Sequence, residues 1–515
     1  MSEPLLTGPP VVTLRQAPLR PYDSAIAAAR TCYSPRVVAP EEVTASQRDT
    51  IGPLTFEAGH HTVYQHAHFE FGLENVSRQF VWSFLHSHPF YNSEQSSQRF
   101  VRLDEVRAYV PDGLSPAARP VYEGAVVAAW RAYRELNAIL MEDTLRIVGE
   151  LRYLTPNASE KRRKKVAREA EKKAIELARY VIPVAAFTSM VHTVSGIVLH
   201  RLWRMMRTGD APAETERIVS VMVAKVRELD PLFFEHVGEG PLGADEVVEA
   251  RLPRAEGGGD ALAAELDARL GGRVALLVDF APQAEATAAS AVRAVLGATA
   301  ASLSDDDALE RLLNPGMNRY RLETLQLSAH SPLARAMHHA SYTFLKRLSH
   351  TADSQDQRHR MVPGSRPLMT LTDTTRPDFV TPPLIAQNPR GLEIYTAAME
   401  GAWAAKNRLL DMGVALEHAL YLLPNAKALR FHETGSLLYL AHKWVMRTCF
   451  NAQEEIYRAS MDELEQVRAL HPRLAKHMGP PCVLRHGRIT PTCTEGVHFC
   501  GIPVWRKFPD VERRI

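Results

Sequence analysis

The sequence has little excess charge of either sign and no long apolar run. Its 515 residues carry 61 Lys and Arg against 59 Asp and Glu, a formal net charge of +2. This balance provides no general field for capturing a nucleic acid polymer or an anionic membrane, so any anion site has to be local. No run of about 18 apolar residues occurs, which argues against a membrane-spanning helix. The first residues lack a basic region followed by an apolar stretch, so we expect a cytoplasmic protein.

Cysteine is also scarce, because only five occur. This excludes the disulfide framework that is typical of small secreted proteins. Cys32 and Cys449 each stand alone, and we interpret both as buried structural thiols. The other three lie near the C-terminus with two histidines, and three thiolates with one imidazole form an accepted structural zinc set. We therefore predict a structural zinc site, with unligated thiols as the alternative. Its candidate ligands are Cys482, His486, Cys493, His498 and Cys500.

The length predicts two domains, since single cores stop growing at roughly 250–300 residues. Helical patterns occupy residues 122–148 and 160–181. Residues 273–280 predict a short buried strand like that at residues 11–14, and an Ala-rich helix follows each strand. A second copy of the first half therefore begins near residue 272. The predicted divisions are a first domain at 1–238, a linker at 239–271, a second domain at 272–478 and a Cys/His-rich tail at 479–515.

Two polar motifs are candidates for binding chemistry. In the first half, a histidine-rich turn leads into a strand with alternating Phe69 and Phe71, and the polar segment at residues 91–100 follows. Its hydroxyls, amides and single arginine could satisfy a phosphate or the edge of a uracil ring, although polar loops are common on any surface. In the second half, residues 358–360 read Arg-His-Arg, which concentrates positive charge where a carboxyl, a phosphate or a reduced flavin could need it.

Together these segments resemble the flavin-dependent thymidylate synthase family. The family signature is a His-rich turn, an aromatic strand, Ser-Arg, Gln-x-x-Arg-His-Arg and a loop that bears Ser and Arg. These marks occur in the same order in both halves, so the chain resembles an internally duplicated member. The marks of the first half are residues 27–34, 59–71, 96–100, 178–183 and Arg207. Those of the second half are residues 339–344, 358–360, 419–424, Arg447 and residues 452–456.

The two halves depart from the family pattern in different places. The first half reads Leu85-His-Ser-His where the family has Arg-His-Arg, and its polar loop is one residue longer than expected. We predict that the first half binds flavin poorly through this motif. The second half keeps the triplet, but its following loop is shortened to residues 361–367, and Leu420 stands where the family has an arginine. We predict that the second half binds the nucleotide poorly by itself. A further family arginine is absent from both halves.

Because the family builds its active sites between subunits, the resemblance implies that two incomplete halves can form one composite pocket. It implies FAD as the cofactor, with NADPH and methylenetetrahydrofolate as co-substrates, in the reductive methylation of dUMP to dTMP. Arg358 and Arg99 are the catalytic candidates, since they could hold the phosphate or the uracil oxygens as charge develops. The candidates for flavin binding are His60, Thr62, Arg358, His359 and Arg360. The candidates for nucleotide binding are Gln355, Glu94, Ser96, Arg99 and Arg179.

We expect an α+β fold with two homologous domains, each a small sheet flanked by long helices, followed by the short tail. The resemblance also implies a homo-oligomer, in which two fused chains form a pseudo-tetramer. Two other functions stay open. One is a degenerate, non-catalytic scaffold that binds flavin or a nucleotide, and the other is an enzyme that methylates another pyrimidine nucleotide. Bound flavin without dTMP formation would favour the scaffold.

Overall fold

The structure, a computed structural model, describes residues 4–235, 240–251 and 257–515. It forms two α+β halves, each with a four-stranded antiparallel sheet, which confirms the predicted fold class. The first sheet has the order β1-β2-β4-β3 and the second has the order β5-β6-β8-β7. The strands of the first sheet are β1 Val11–Gln16, β2 His68–Ser77, β3 Tyr91–Gln95 and β4 Phe187–Ser195. The strands of the second sheet are β5 Ala275–Phe280, β6 Ser341–Ser349, β7 Gly364–Ser365 and β8 Ala428–Ser436.

Helices cover both sheets and supply the contact between the halves. Those of the first half are α1 Pro21–Thr31, α2 Ala45–Glu57, α3 Arg78–His86, α4 Ala118–Leu151, α5 Glu160–Ala178, α6 Gly196–Met205, α7 Pro212–Leu229, α8 Leu232–Glu235 and α9 Val248–Arg251. Those that follow are α10 Gly258–Leu270, α11 Ala284–Leu296, α12 Asp305–Leu313, α13 His350–Asp356, α14 Pro383–Ala386, α15 Pro389–Asp411, α16 Leu416–Ala419, α17 Leu437–Arg447, α18 Glu454–Leu470, α19 Pro472–Ala475 and α20 Pro481–Arg485. The two helices predicted in the first half are α4 and α5. Within the described residues, no helix is long and apolar enough to cross a membrane.

Equivalent serines mark the internal duplication. Ser77 ends β2 and caps α3 by accepting a hydrogen bond from the Phe80 amide at 2.8 Å. Ser349 ends β6 and caps α13 by accepting one from the Ala352 amide at 3.1 Å. A serine at this position satisfies one of the amides that a helix N-terminus leaves without an intrahelical partner. Counting from these two serines pairs the residues of one half with their counterparts in the other.

The two halves pack into one shared core. Long helices α4 and α15 lie against each other there, and the core includes Trp130 and Tyr133 from the first half with Tyr395 and Trp403 from the second. Backbone hydrogen bonds also join the halves: the Val184 amide donates to the carbonyl of residue 423 at 2.8 Å. The halves are therefore held as one unit by apolar burial as well as by main-chain pairing.

Each half also contributes a tyrosine that donates a hydrogen bond to a buried glutamate of the other half. The carboxylate of Glu214 accepts hydrogen bonds at 2.6 Å from the hydroxyl of Ser77 in its own half and from that of Tyr421 in the second half. Burial raises the pKa of Glu214. The same arrangement recurs with Glu455, Ser349 and Tyr180. This reciprocity relates the halves by an approximate twofold axis, the symmetry of an isologous dimer interface.

Part of the stretch that we predicted as a linker is helical. Residues 239 and 252–256 lie outside the described residues, but α10 follows directly. Gly257 and Gly271 bound it in the left-handed conformation, with φ of 66° and 59°. Asp267 on α10 forms an ion pair with Arg430 of β8, at 2.7 Å from Oδ1 to Nε. The Ala- and Leu-rich sequence between the glycines favours this helix.

Candidate functional site

Arg99 of the first half reaches directly into the second half. It follows β3, and its Nε donates to Glu176 of α5 at 2.5 Å. The same guanidinium donates to Oε1 of Gln355 at 3.4 Å and to the carbonyl of Asn451 at 2.8 Å, both in the second half. Arginine suits this role because its planar fork presents several donors in fixed directions. The structure thus brings together Arg99 and Gln355, two residues that we predicted from different halves.

Arg179 lies beside Arg99 in the same interface. It is buried, and its side chain donates to the carbonyl of Glu176 at 3.2 Å and to Oε1 of Gln453 at 2.8 Å. Burial lowers the pKa of Arg179 to about 10, against the opposing attraction of Glu176. Gln453 also accepts from the side-chain amide of Gln355. Glu176 itself stays ionised: burial alone would raise its pKa, but the cations around it lower that pKa to about 2.

The intact Arg-His-Arg motif follows α13 at the edge of this cluster. The ring of His359 accepts a hydrogen bond at Nε2 from Nε of Arg447, at 2.8 Å, and Arg447 also donates to the carbonyl of Gln355 at 3.1 Å. Burial and the neighbouring Arg447 hold the pKa of His359 well below its usual range. The ring is therefore neutral, and its proton lies on Nδ1 because Nε2 accepts.

Five arginines concentrate positive charge at this interface. They are Arg78, Arg99 and Arg179 of the first half with Arg358 and Arg447 of the second. Burial lowers the pKa of Arg78 to about 9, and Arg179 and Arg358 lower it further in the same direction. Within the described residues, the buried Nε of Arg78 has no hydrogen-bond partner. Closely spaced cations and an unpartnered buried donor are typical of a site for an anion.

Arg360 and Arg358 differ in exposure. Arg360 crosses to the first half, where its guanidinium lies 5.0 Å from the centre of the Tyr91 ring and 3.3 Å from Oδ1 of Asn92. A cation over an aromatic face is attracted by the ring quadrupole, so this contact fixes Arg360 against β3. Arg358 is exposed, and its charge is available to a ligand. The Arg-His-Arg triplet thus spans from the interior of the cluster to its surface.

The other predicted binding residues lie apart from this cluster. His60 and Thr62 are exposed in the turn before β2. Glu94 and Ser96 are exposed as well, and the contact to the cluster comes from Gln95 between them, which accepts from Arg78 at 3.0 Å. Because side chains alternate along a strand, the chain presents Gln95 inward where Glu94 points away.

We predicted no binding role for several residues of this interface. They are Arg78, Glu176, Arg447, Asn451 and Gln453. A signal was present for three of them, since Arg78 belongs to the Ser-Arg mark and Arg447 and Gln453 belong to the later marks of the second half. Glu176 and Asn451 have no such signal, because only the folded chain shows that they face Arg99.

The structure does not support the predicted zinc site. Within the part of the chain that it describes, no group of three or more His, Cys, Asp or Glu side chains is arranged to hold a metal ion. The ring of His486 stacks on Trp505 at 5.6 Å, and the thiol of Cys500 donates to the carbonyl of Ile502 at 3.6 Å. Cys482 packs in an apolar cluster, and burial together with the nearby Cys449, Cys493 and Cys500 raises its pKa to about 12.

The interpretation of Cys32 as a buried thiol was wrong. Cys32 is exposed, because it follows the last residue of α1 in the turn that ends the helix. Cys449 is partly buried, and burial raises the pKa of its thiol to about 11.

Comparison with known families supports the internal duplication. The chain matches the family described as thymidylate synthase complementing protein at residues 14–232 and again at residues 276–473. The chain belongs to this family. Since each half matches separately, the sequence is an internal duplication, as the resemblance predicted. The chain after residue 473, which includes the tail at residues 479–515, lies outside both matches.

Similar proteins include several named flavin-dependent thymidylate synthases. That of Geobacter sulfurreducens is 28% identical over 228 residues, which cover 44% of this chain and 92% of that protein. That of Clostridium tetani is 28% identical over 215 residues, 41% of this chain and 80% of that protein. That of Sulfurisphaera tokodaii is 32% identical over 158 residues, 30% of this chain and 60% of that protein. The chain is an enzyme of the flavin-dependent thymidylate synthase family.

Among solved structures, similar chains come from a UMP/dUMP methylase, PolB, of Streptomyces cacaoi. The structure bound with 5-Br dUMP has a TM-score of 0.31 and 18% identity, and the match covers 45% of this chain and 95% of that one. The structure bound with 5-Br UMP has a TM-score of 0.33 and 15% identity, with 46% and 96% covered.

Proposed function

We propose that the chain catalyses the FAD-dependent reductive methylation of dUMP to dTMP, with methylenetetrahydrofolate and NADPH as co-substrates. We propose further that the site is composite, with residues from both halves in one pocket. The observation that carries this proposal is Arg99 of the first half, which donates to Gln355 and to the carbonyl of Asn451 in the second. The first half lacks the triplet and the second half has Leu420 in place of Arg179, so each supplies what the other lacks.

The arginine cluster is the proposed nucleotide site. Arg78, Arg99 and Arg179 repel one another in a buried setting, and a phosphate would replace that repulsion with charge-assisted hydrogen bonds. Arg447 is held beside them by His359 and the carbonyl of Gln355. Cations fixed in this way before the substrate binds can also stabilise charge that develops on the uracil oxygens when C5 becomes nucleophilic.

Arg358, His359 and Arg360 are the proposed flavin contacts. Their chemistry fits the group, because Arg358 offers an exposed cation and the neutral His359 keeps a proton on Nδ1 for an acceptor. Arg360, fixed on Tyr91, joins this contact to the first half. Bound FAD supplies the hydride for the methyl group, and the chain's own residues bind and orient the partners.

His60 and Thr62 are exposed in the turn that precedes β2. We propose that they contact the flavin of another copy of the chain, in a dimer that forms a pseudo-tetramer. This assignment follows from the resemblance, because the family forms its active sites between subunits. Cross-linking or light scattering of the purified chain tests it, and a monomer with full activity would contradict it.

The test of the proposed function is an absorbance spectrum of the purified chain after incubation with FAD. NADPH is then added with and without dUMP, and the sample with methylenetetrahydrofolate is analysed for dTMP. Flavin that bleaches faster with dUMP and yields dTMP supports the proposal. Retained flavin without dTMP would indicate a binding scaffold, and methylation of another pyrimidine nucleotide would indicate a changed substrate. A chain that retains no flavin would contradict the proposed chemistry.

A further inference from the structure

The tail at residues 479–515 packs against the composite site, although it lies outside both family matches. It has its own small apolar core, in which Val504 of the tail is buried with Phe450, Ile456 and Tyr457 of the second half. The residues between Phe450 and Ile456 are those that carry Asn451 and Gln453. The tail therefore covers the back of the turn whose front faces Arg99.

Two tail groups hold the side chain of Asn451. Its amide donates to the carboxylate of Glu495 at 2.9 Å and to the carbonyl of His498 at 2.8 Å. The carbonyl of the same residue accepts from Arg99 at 2.8 Å. Since a side chain fixed by two hydrogen bonds restricts the backbone that bears it, the tail sets the direction in which this carbonyl points.

Arg513 holds the same turn from a second side. Its Nη2 donates to the carbonyl of Ala452 at 2.6 Å, and its guanidinium lies 4.9 Å from the centre of the Tyr457 ring. Arg514 next to it donates to Glu150 of α4 in the first half at 2.6 Å. The end of the tail thus ties the turn at residues 449–453 to the first half, which supplies Arg99.

We propose that the tail is a positioning element of the nucleotide site, which acts through Glu495 and Arg513 on the turn that holds Arg99. This inference rests on the proposed function for the identity of the ligand. It assigns no contact between the tail and the substrate. A positioning role predicts weaker nucleotide binding with unchanged flavin binding, whereas a purely structural role predicts the same loss of both.

The experiment compares Glu495→Ala, Glu495→Gln and Arg513→Ala with the wild-type chain. Glutamine keeps an oxygen that can accept from Asn451, so Glu495→Gln should behave like the wild type, whereas Glu495→Ala should not. The exposed neighbour Glu512→Ala is the matched control. For Glu495→Ala and Arg513→Ala we expect about a tenfold rise in the Kd for dUMP, the equivalent of about 1.4 kcal/mol and close to the value of one hydrogen bond. The Kd for FAD should stay within twofold.

Amide hydrogen exchange of the ligand-free chain separates this inference from the proposed function. Glu495→Ala should speed exchange in residues 96–103 and 448–453 relative to Glu512→Ala. Faster exchange in a chain that binds no dUMP would support the positioning role and contradict the proposed substrate. Unchanged exchange, or equal affinity for dUMP in Glu495→Ala and Glu512→Ala, would overturn the inference. Should Glu495→Ala not fold, Arg513→Lys, which keeps the charge but loses the planar fork, is compared in the same way.

Discussion

The two halves have the same sheet order, yet the interiors behind their motif helices differ. Behind α13, the second half buries an ionic network in which Lys346 and Lys443 contact Asp356, Glu433 and Glu463. All five side chains are fully buried. Counted from the equivalent serines of β2 and β6, and of β4 and β8, the first-half counterparts of Asp356, Glu433 and Lys443 are Phe84, His192 and Leu202.

The first arginine after β3 and the first arginine after β7 also differ in what they contact. Arg99 follows β3 and reaches across the interface to Gln355. Arg366 follows β7 and is held within its own half by Asp353, with Nη2 and Oδ1 2.8 Å apart. Trp82 of the first half donates to Asp353 as well, at 2.7 Å. One arginine therefore joins the two halves, whereas the other is part of the ionic network within the second half.

We infer that the two halves took on separate tasks after the duplication. The helix that leads to the intact Arg-His-Arg triplet is anchored by ions, through Asp353 and Asp356. The helix that leads to the altered triplet is anchored by aromatic packing, since the ring of Phe84 lies 4.9 Å from the ring of His192 on β4. A buried ion pair is weak evidence for stability but is directional, so we infer that the network fixes the orientation of the flavin motif.

The largest effect on activity is expected when the side chain of Arg99 is removed. Arg99→Ala should lower kcat/KM for dUMP by about 10²–10³, the usual loss when one fixed donor to developing charge is removed. Arg102→Ala, three residues along and on the surface, is the control and should stay within about twofold, because exposed ion pairs are worth little. Steady-state dTMP formation measures both. Equal losses in the two variants would contradict an active-site role for Arg99.

The next effect tests the contrast between the two interiors. Lys443→Met removes one of the two cations that pair with the three buried carboxylates and should lower the free energy of unfolding by about 3–5 kcal/mol. Leu202→Met, at the counterpart position, keeps the volume and apolar character and should cost less than about 1.5 kcal/mol. Urea unfolding followed by circular dichroism measures both. If both variants lost the same stability, the ionic network would not distinguish the halves.

A smaller effect concerns the pH dependence of the Tm. Burial and the neighbouring Asp356 raise the pKa of Glu433 to about 7. A carboxyl whose pKa is raised on folding stabilises the chain fully below its unfolded pKa, about 4.3, and this stability is lost as the pH rises through about 7. The Tm should therefore fall as the pH rises from about 5.5 to about 8. Glu433→Gln should reduce this slope, although Asp210, whose pKa burial also raises to about 7, keeps part of it. An unchanged slope in Glu433→Gln would contradict the assignment.

Much of the fold could be predicted from local pattern. The apolar period along α4, the alternation of Phe69 and Phe71, and the repeated strand-then-helix start of each half depend on residues close in sequence. The duplication could be predicted because the family marks occur in the same order in both halves. The structure does not support the zinc prediction for the opposite reason, since clustering of Cys482, His486 and Cys500 in sequence does not decide which way each side chain points.

The composite site was only partly predictable. Arg99, Arg179 and Gln355 carry family marks, and the contacts among them follow the predicted division between the halves. Glu176 and Asn451 could not be found in this way, because their role depends on positions far apart in sequence. The ionic network was equally hidden, since Lys346 and Glu433 each look like surface residues until the sheet pairs β6 with β8.

We propose that each chain forms one composite flavin site rather than two. The most direct test is a titration of the purified chain with FAD, followed by flavin absorbance. The wild type is compared with His359→Ala and with Ser87→Ala. Ser87 is the exposed first-half residue that corresponds to His359. We expect one FAD per chain, a loss of at least about tenfold in affinity for His359→Ala, and no change for Ser87→Ala. Two FAD per chain, or equal losses in the two variants, would contradict it.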